Sequence, residues 1–235
     1  MTQSFSIIFI TLFPNFIESF FEYSIIKKAI NCKKVEFKVV DLRDFGIGKH
    51  KKVDDYQYGP GKGMVLRPEP IYEALQQTKK ELKGSTFTIL VSPRGKQFKQ
   101  SIAQQFVDKY NNLILISGNY EGFDERICDF VDSEISVGDY VLTGGELPAL
   151  TIANAVSRLV DGVIKEESRL NESFRNNLLD YPVYTKPLLF KEKKVPEILL
   201  SGNHKKIQEW RKKQAIKKTK NNNPDLFKIS KKPQN

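Results

Sequence analysis

Four glycine-bearing loops and a few ionisable residues carry whatever chemistry this 235-residue chain can perform. Tyr58-Gly59-Pro60-Gly61-Lys62-Gly63-Met64 invites a phosphate-loop reading, but that loop needs GxxxxGK followed by Ser or Thr, and Lys62 is followed by Gly63. It is no dinucleotide-binding GxGxxG either, because no predicted strand leads into it. The other loops are Ser92-Pro93-Arg94-Gly95, Gly118-Asn119-Tyr120-Glu121-Gly122 and Gly138 to Glu146 (GDYVLTGGE), and each follows a predicted strand. Ligands of open parallel sheets bind outside the carboxyl ends of the strands, so these three loops can converge on one pocket. Their glycines would let backbone N–H and C=O groups approach a flat ligand; the competing reading is three tight strand-to-helix turns. Glu121 with Asp124 and Glu125 offers oxygen ligands to a supporting Mg2+, without a spacing that demands one. His50 and His204 suggest acid–base work by residue type alone.

Loops can meet only if the strands beneath them end together. Ser6–Leu12, Val35–Asp41, Phe87–Val91 and Leu113–Ser117 are short, nearly continuous apolar runs, as a parallel sheet covered on both faces requires, and Glu134–Val137 precedes the third loop. Helical spacing recurs over Asn15–Ile30, Pro70–Leu82, Ile102–Tyr110 and Glu146–Val160, so the chain reads as an α/β layer fold. Lys165–Asn177 then lacks an apolar period and reads as a linker or mobile loop. A helix from His204 to about Lys218 follows, and Asn221–Asn235 reads as a frayed end.

Charge divides the chain in the same place. Of 38 Lys+Arg and 28 Asp+Glu, residues 186–235 hold 15 and 4, or +11, leaving 23 and 24, or −1, for residues 1–185. A near-neutral body with a basic end is the footprint of a polyanion-binding appendage, since each cation that neutralises a phosphate releases counterions; the alternative is a solvated Lys-rich helix. Gln208–Lys220 has too few apolar residues to lie on a membrane, and Phe5–Phe13 is too short to span one. With 40% hydrophobic residues, a disordered or fibrous chain is excluded. Cys32 and Cys128 lack CxxC spacing and read as buried thiols in a reducing cytoplasm.

Ile10–Pro14 (ITLFP), Val53–Pro68 (VDDYQYGPGKGMVLRP), Leu90–Gly95 (LVSPRG), Ser117–Arg126 (SGNYEGFDER), Ser136–Ala149 (SVGDYVLTGGELPA), Val156–Arg158 (VSR), Leu178–Pro187 (LLDYPVYTKP) and Val195–Arg211 (VPEILLSGNHKKIQEWR) occur in that order. In them the chain resembles the bacterial tRNA (guanine-N1)-methyltransferases of the SPOUT class. The resemblance implies a SPOUT-type parallel sheet with a C-terminal trefoil knot over residues 1–163, a flexible linker over 164–177, and a small basic helical tRNA-binding domain over 178–235. It also implies a homodimer, S-adenosylmethionine as methyl donor, and tRNA as substrate. The product would be 1-methylguanosine at the guanosine immediately 3′ of the anticodon, tRNA position 37. A SPOUT relative acting on another RNA and a non-catalytic RNA-binding protein are the rival readings.

Carried onto this sequence, the resemblance gives a cofactor set of Leu90, Ser92 and Pro93 from the first loop, Gly118, Tyr120, Glu121 and Gly122 from the second, and Val137, Gly138, Asp139, Tyr140, Val141, Leu142, Gly144, Gly145 and Pro148 from the third. The guanine N1 is protonated at neutral pH, so its methylation needs a base and a cation for charge growing on O6. By resemblance Arg158 is that cation, Glu172 the base at a position where the family usually has aspartate, and Asp54 steadies one of them. Pro60 and Asn119 are further departures, the linker is one residue shorter than in some relatives, and His204 is assigned to substrate contact or helix capping.

Overall fold

A computed structural model describes residues 4–166, 172–174 and 176–230. It divides into two compact units, Met1–Ile164 and Lys165–Asn235. The first runs β1 (Phe5–Thr11), α1 (Pro14–Ser19), α2 (Ser24–Asn31), β2 (Val35–Asp41), β3 (Asp54–Tyr56), β4 (Met64–Leu66), α3 (Pro68–Glu81), β5 (Thr86–Gln97), α4 (Gln100–Lys109), β6 (Asn112–Ser117), β7 (Ser133–Ser136) and α5 (Glu146–Ser157). Five strands make one parallel sheet in the order β2-β1-β6-β5-β7.

Alternation along the strands decides which face each side chain joins. Ile7, Phe9, Ile89, Leu113 and Leu115 pack with Ala103 and Phe106 of α4 and with Ile152, Ala153 and Val156 of α5. Their neighbours Ile8, Ile10, Leu90, Ile114 and Ile116 pack on the opposite face with Ile71, Ala74 and Leu75 of α3. Both faces are therefore covered, and β6, at the centre, is buried along its whole length. This is the α/β layer arrangement with a parallel sheet that the apolar runs imply.

Three local expectations change. The helical pattern over 15–30 breaks into α1, a 3₁₀ turn at Phe20–Glu22 and α2, with Tyr23 extended. Phe20, Phe21 and Tyr23 are too closely spaced for one helical face, and the break lets Phe21 stack on Phe37 at 5.0 Å between centroids. A strand does lead into the Tyr58–Gly63 loop: β3 and β4 pair antiparallel, so the loop is a hairpin tip, the opposite of a strand-to-helix phosphate cradle. Cys32 is exposed at the end of α2 and Cys128 is half-buried, so neither is the fully buried thiol expected.

The second unit contains a two-strand hairpin, β8 (Leu189–Phe190) with β9 (Lys193–Lys194), then α6 (His204–Asn222) and α7 (Pro224–Ser230). Polar nearly all round, α6 buries only Ala215 and Thr219. Thr219 Oγ1 donates to the Ala215 carbonyl at 2.7 Å and accepts from Leu179 N–H at 2.8 Å, fastening the residues before the hairpin to the helix. Residues 224–230 are helical where a frayed end was expected, because Asn223 caps them by accepting from Leu226 N–H at 3.1 Å. Among the described residues no helix is long and apolar enough to cross a membrane.

Candidate active site

The first loop arises from an irregularity in β5. Val91 and Lys96 both pair with Ile135, so 92–95 bulges from the sheet. Gly95 is required there, since a Cβ would lie 2.3 Å from the Ile135 nitrogen. Arg94 braces the bulge through Glu125 at 3.0 Å and Glu134 at 3.5 Å.

The second loop leaves the buried end of β6 and is held by the hairpin. Glu121 N–H donates to the Met64 carbonyl, Leu66 N–H to Gly122, and Asp124 N–H to Leu66, at 2.9–3.0 Å. Within it Tyr120 adopts φ +59, a conformation a tyrosine takes only when its surroundings enforce it. The third loop is pinned to the second: Gly145 N–H donates to the Gly118 carbonyl at 2.7 Å, and a Cβ on Gly145 would lie 2.5 Å from the Gly118 nitrogen.

The three loops enclose a cavity of about 320 Å³, at the lower end of the range for small-molecule sites. Of the sixteen residues assigned to a cofactor, fourteen line it: Ser92 and Pro93; Gly118, Tyr120, Glu121 and Gly122; and Val137, Gly138, Tyr140, Val141, Leu142, Gly144, Gly145 and Pro148. Leu90 does not, being fully buried on the α3 face of the sheet, and Asp139 is exposed off the wall. Strand alternation explains the first: Leu90 is one residue from Val91, which points to the other face and does reach the cavity. Arg94, Asn119, Phe123 and Thr143 line the cavity without having been singled out as ligands. The positions of Arg94, Asn119 and Thr143 inside the glycine loops, and of Phe123 directly after one, were the available signal.

Asp54 pairs with Leu66 across the hairpin, and Leu66 is the residue that exchanges hydrogen bonds with the second loop. The Tyr120 phenol is pushed above its ordinary value, first by burial and then by a hydrogen bond with the Asp54 carboxylate, while Arg43 acts in the opposite sense. Asp54 thus belongs to the cavity's rim. Arg158 ends α5 and is half-buried. Glu172 lies in the second unit, also half-buried, just before a structured turn. There Ser173 Oγ donates to Asp180 at 2.9 Å, Asp180 N–H donates back at 3.0 Å, and Phe174 N–H donates to Leu178 at 2.7 Å. The polar stretch 165–177 therefore carries hydrogen bonds at its end; residues 167–171 and 175 of that stretch lie outside the described residues.

His204 is exposed, and the capping role it was offered falls to Asn203, whose side chain accepts from Lys206 N–H at 3.0 Å. Of the carboxylates considered for Mg2+, Asp124 is gripped by Arg126 at 2.8 Å and Glu125 by Arg94. Among the described residues no group of three His, Cys, Asp or Glu side chains is placed to hold a metal.

The family model for tRNA (Guanine-1)-methyltransferase TrmD matches residues 5–229. The chain belongs to the TrmD family. A tRNA (guanine-N(1)-)-methyltransferase of Mycoplasmopsis pulmonis is 54% identical over 219 residues, 93% of this chain and 95% of the relative. Proteins of the same description from Mycoplasma mycoides and Ureaplasma parvum are 50% and 52% identical, covering 94% and 93% of this chain and 91% and 94% of their own lengths. TrmD membership thus extends over both units and reaches into α7, where the sequence alone gave no match to quote.

The chemistry of the cavity fits an adenosyl group. Leu142, Val141 and Pro148 would offer apolar walls to a flat base, and the glycines would let backbone polar groups reach its edge. Gly144 and Gly118 leave no room for a Cβ, which would meet Glu146 Oε2 at 2.6 Å and the Phe123 ring at 2.6 Å respectively.

Proposed function

We propose that the protein transfers a methyl group from S-adenosylmethionine to N1 of the guanosine immediately 3′ of the anticodon, tRNA position 37. The observation that carries this is the three-loop cavity formed by the bulge in β5 and the loops after β6 and β7, in a chain whose membership of the TrmD family covers residues 5–229. S-adenosylmethionine supplies an activated methyl group on a sulfonium. The protein's task is then to hold acceptor and donor in line and to manage one proton and one developing charge. Arg158 donates hydrogen bonds to O6 as negative charge grows there, and Glu172 removes the N1 proton. Asp54, at the rim beside Tyr120, steadies one of these two groups.

The second unit supplies tRNA affinity through its basic surface, in which Lys191 Nζ lies 5.7 Å from the ring of the exposed Phe190 and Lys193 pairs with Phe190 across the hairpin. Two copies form the working enzyme in the cytoplasm, with Glu172 of one serving the cavity of the other around a two-fold axis. A dimer face on the first unit is supported by Phe13 at the N-cap of α1, Phe16 in α1 and Leu147 in the neighbouring α5, each about half exposed. The trefoil knot belongs to the same proposal, supported by membership of the TrmD family over residues 5–229.

Labelled S-adenosylmethionine and unmodified tRNA transcripts test the reading. Methyl should enter tRNA carrying guanosine at position 37 and no transcript carrying adenosine there. Equal labelling of the two, or labelling of ribosomal RNA alone, would overturn it.

A further inference from the structure

Behind the cavity lies a carboxylate that the methyl-transfer chemistry does not use. Glu146, the first residue of α5, is 6% exposed and lines no part of the cavity. Its Oε1 accepts from Thr11 Oγ1 at 2.8 Å and from Asn119 Nδ2 at 3.0 Å. Thr11 is fully buried, Asn119 nearly so, and Thr11 Oγ1 accepts in turn from Phe13 N–H at 3.0 Å. One oxygen therefore ties the end of β1, the second loop and the start of α5 together.

A buried carboxylate is costly unless its oxygens are satisfied, and a residue needed only for packing would be better apolar. Two neutral donors and the positive end of α5 offset the cost here. Each partner acts on the cavity wall. Asn119 is part of that wall, and Gly144, also in it, sits where a Cβ would come within 2.7 Å of both Glu146 Oε2 and Asn119 Oδ1. We propose that Glu146 is a positioning residue whose hydrogen bonds set the separation of the second and third loops and hence the shape of the adenosyl pocket. This rests on reading the cavity as the S-adenosylmethionine site.

Three variants of the full chain separate this role from a merely structural one. Glu146→Ala removes the shared acceptor, Glu146→Gln keeps an oxygen for Thr11 and Asn119 while losing the charge, and Asn119→Ala removes one donor. Calorimetry with S-adenosylmethionine should show Glu146→Ala weakened about tenfold or more, as expected when buried donors lose their acceptor. The KM for S-adenosylmethionine should rise in step while kcat at saturation and tRNA affinity stay within a few-fold of wild type. Glu146→Gln should recover most of the affinity. Glu146→Ala combined with Asn119→Ala should bind no worse than Glu146→Ala alone, because the single variant has already lost the Asn119–Glu146 hydrogen bond.

A lowered melting temperature with wild-type cofactor affinity, measured well below the melt, would make Glu146 structural only and overturn the proposal. Should Glu146→Ala fail to fold, Asn119→Ala decides: cofactor affinity equal to wild type overturns the proposal, and a loss restored in Asn119→Gln supports it. Failure of the wild-type protein to bind S-adenosylmethionine would instead overturn the reading of the cavity, and the proposal with it.

Discussion

In the first unit every residue of β6 is buried, and the loops beyond it are pinned to one another through backbone hydrogen bonds. In the second, only Ala215 and Thr219 are buried among the described residues, while Val183, Leu188, Leu189 and Phe190 are each more than half exposed. The contrast follows from what each unit is proposed to bind. A small ligand is discriminated by a cavity whose walls are fixed before it arrives, so a rigid core beneath the loops is useful. A nucleic acid is held by cations on flexible stems and by exposed aromatic faces, which need a light scaffold and tolerate a poor core.

The most damaging way to test this division is to spoil one unit and read the other. Gly145→Val places side-chain atoms where the Gly118 nitrogen already lies 2.5 Å from an added Cβ, so the second and third loops must part. Cofactor binding and methylation should both become undetectable by calorimetry and label transfer, while tRNA retention on a filter stays within about twofold. A matching loss of tRNA affinity would show that the two units do not divide the work.

Glu172→Gln should do the reverse at the chemical step. Cofactor binding is expected to survive, with single-turnover methylation reduced roughly 10²–10⁴-fold, the usual contribution of a positioned base. Refolding an equal mixture of Glu172→Gln and Gly145→Val chains then tests the shared site. Half of the dimers are mixed, each with one complete site, so about a quarter of wild-type activity should return if two independent sites are built across a two-fold axis. No recovery, with mixed dimers confirmed by mass spectrometry, would place Glu172 on the same chain as the cavity it serves.

How much of this was legible in the sequence differs between the units for the same reason. Apolar runs marked four of the sheet's five strands, most clearly β6, where burial along the whole length leaves almost no polar alternative; β5 runs on through its bulge to Gln97, and β7 was marked only by its place before the third loop. The glycine loops pointed to the cavity because close approach of backbones excludes a Cβ, as at Gly95 and Gly145. Hidden were features that depend on distant partners. Asp54–Tyr56 has too few residues and too little alternation to announce a strand, and becomes one by pairing with β4. The pleat turns the Leu90 side chain of LVSPRG toward α3, which the run of apolar residues around it does not announce. Asn223, capping α7 in a segment of otherwise polar character, carried a signal that the low apolar content of 221–235 outweighed.

A smaller effect is expected at the exposed hairpin of the second unit. Phe190 is 61% exposed, and Lys191 and Glu192, at the turn, both adopt positive φ, which projects the aromatic ring beside Lys191 Nζ. Phe190→Ala should weaken tRNA binding by roughly tenfold, within the range for loss of one stacked base, and leave cofactor affinity alone. Lys193→Gln with Lys194→Gln should instead flatten the dependence of log affinity on log salt by up to about 1.4–1.8, if both cations meet phosphates. Equal salt slopes in wild type and the lysine variant would remove this hairpin from the tRNA surface.

The smallest effect belongs to the first unit and separates its stability from the second unit's binding. Hydrogen bonds from Arg126 hold the Asp124 carboxyl below its usual range, and the same carboxylate accepts from Arg126 N–H at 3.0 Å where the second loop ends. A carboxyl with a depressed folded-state pKa contributes stability that is fully present above its unfolded value, near 3.9, and that is lost as pH falls through the lower folded value. Arg126 is largely exposed, so screening keeps the contribution below about 1 kcal/mol. Asp124→Asn preserves the turn's acceptor oxygen and removes the charge. Its melting temperature at pH 7 should therefore fall by at most about 2–4 °C relative to wild type, with the gap closing as the pH is lowered below about 4 and shrinking in high salt. Filter-binding affinity for tRNA at pH 7 should not change. A gap that stays constant with pH would show that the loop depends on the shape of Asp124 alone, and a loss of tRNA affinity would show that this corner of the first unit also touches the nucleic acid.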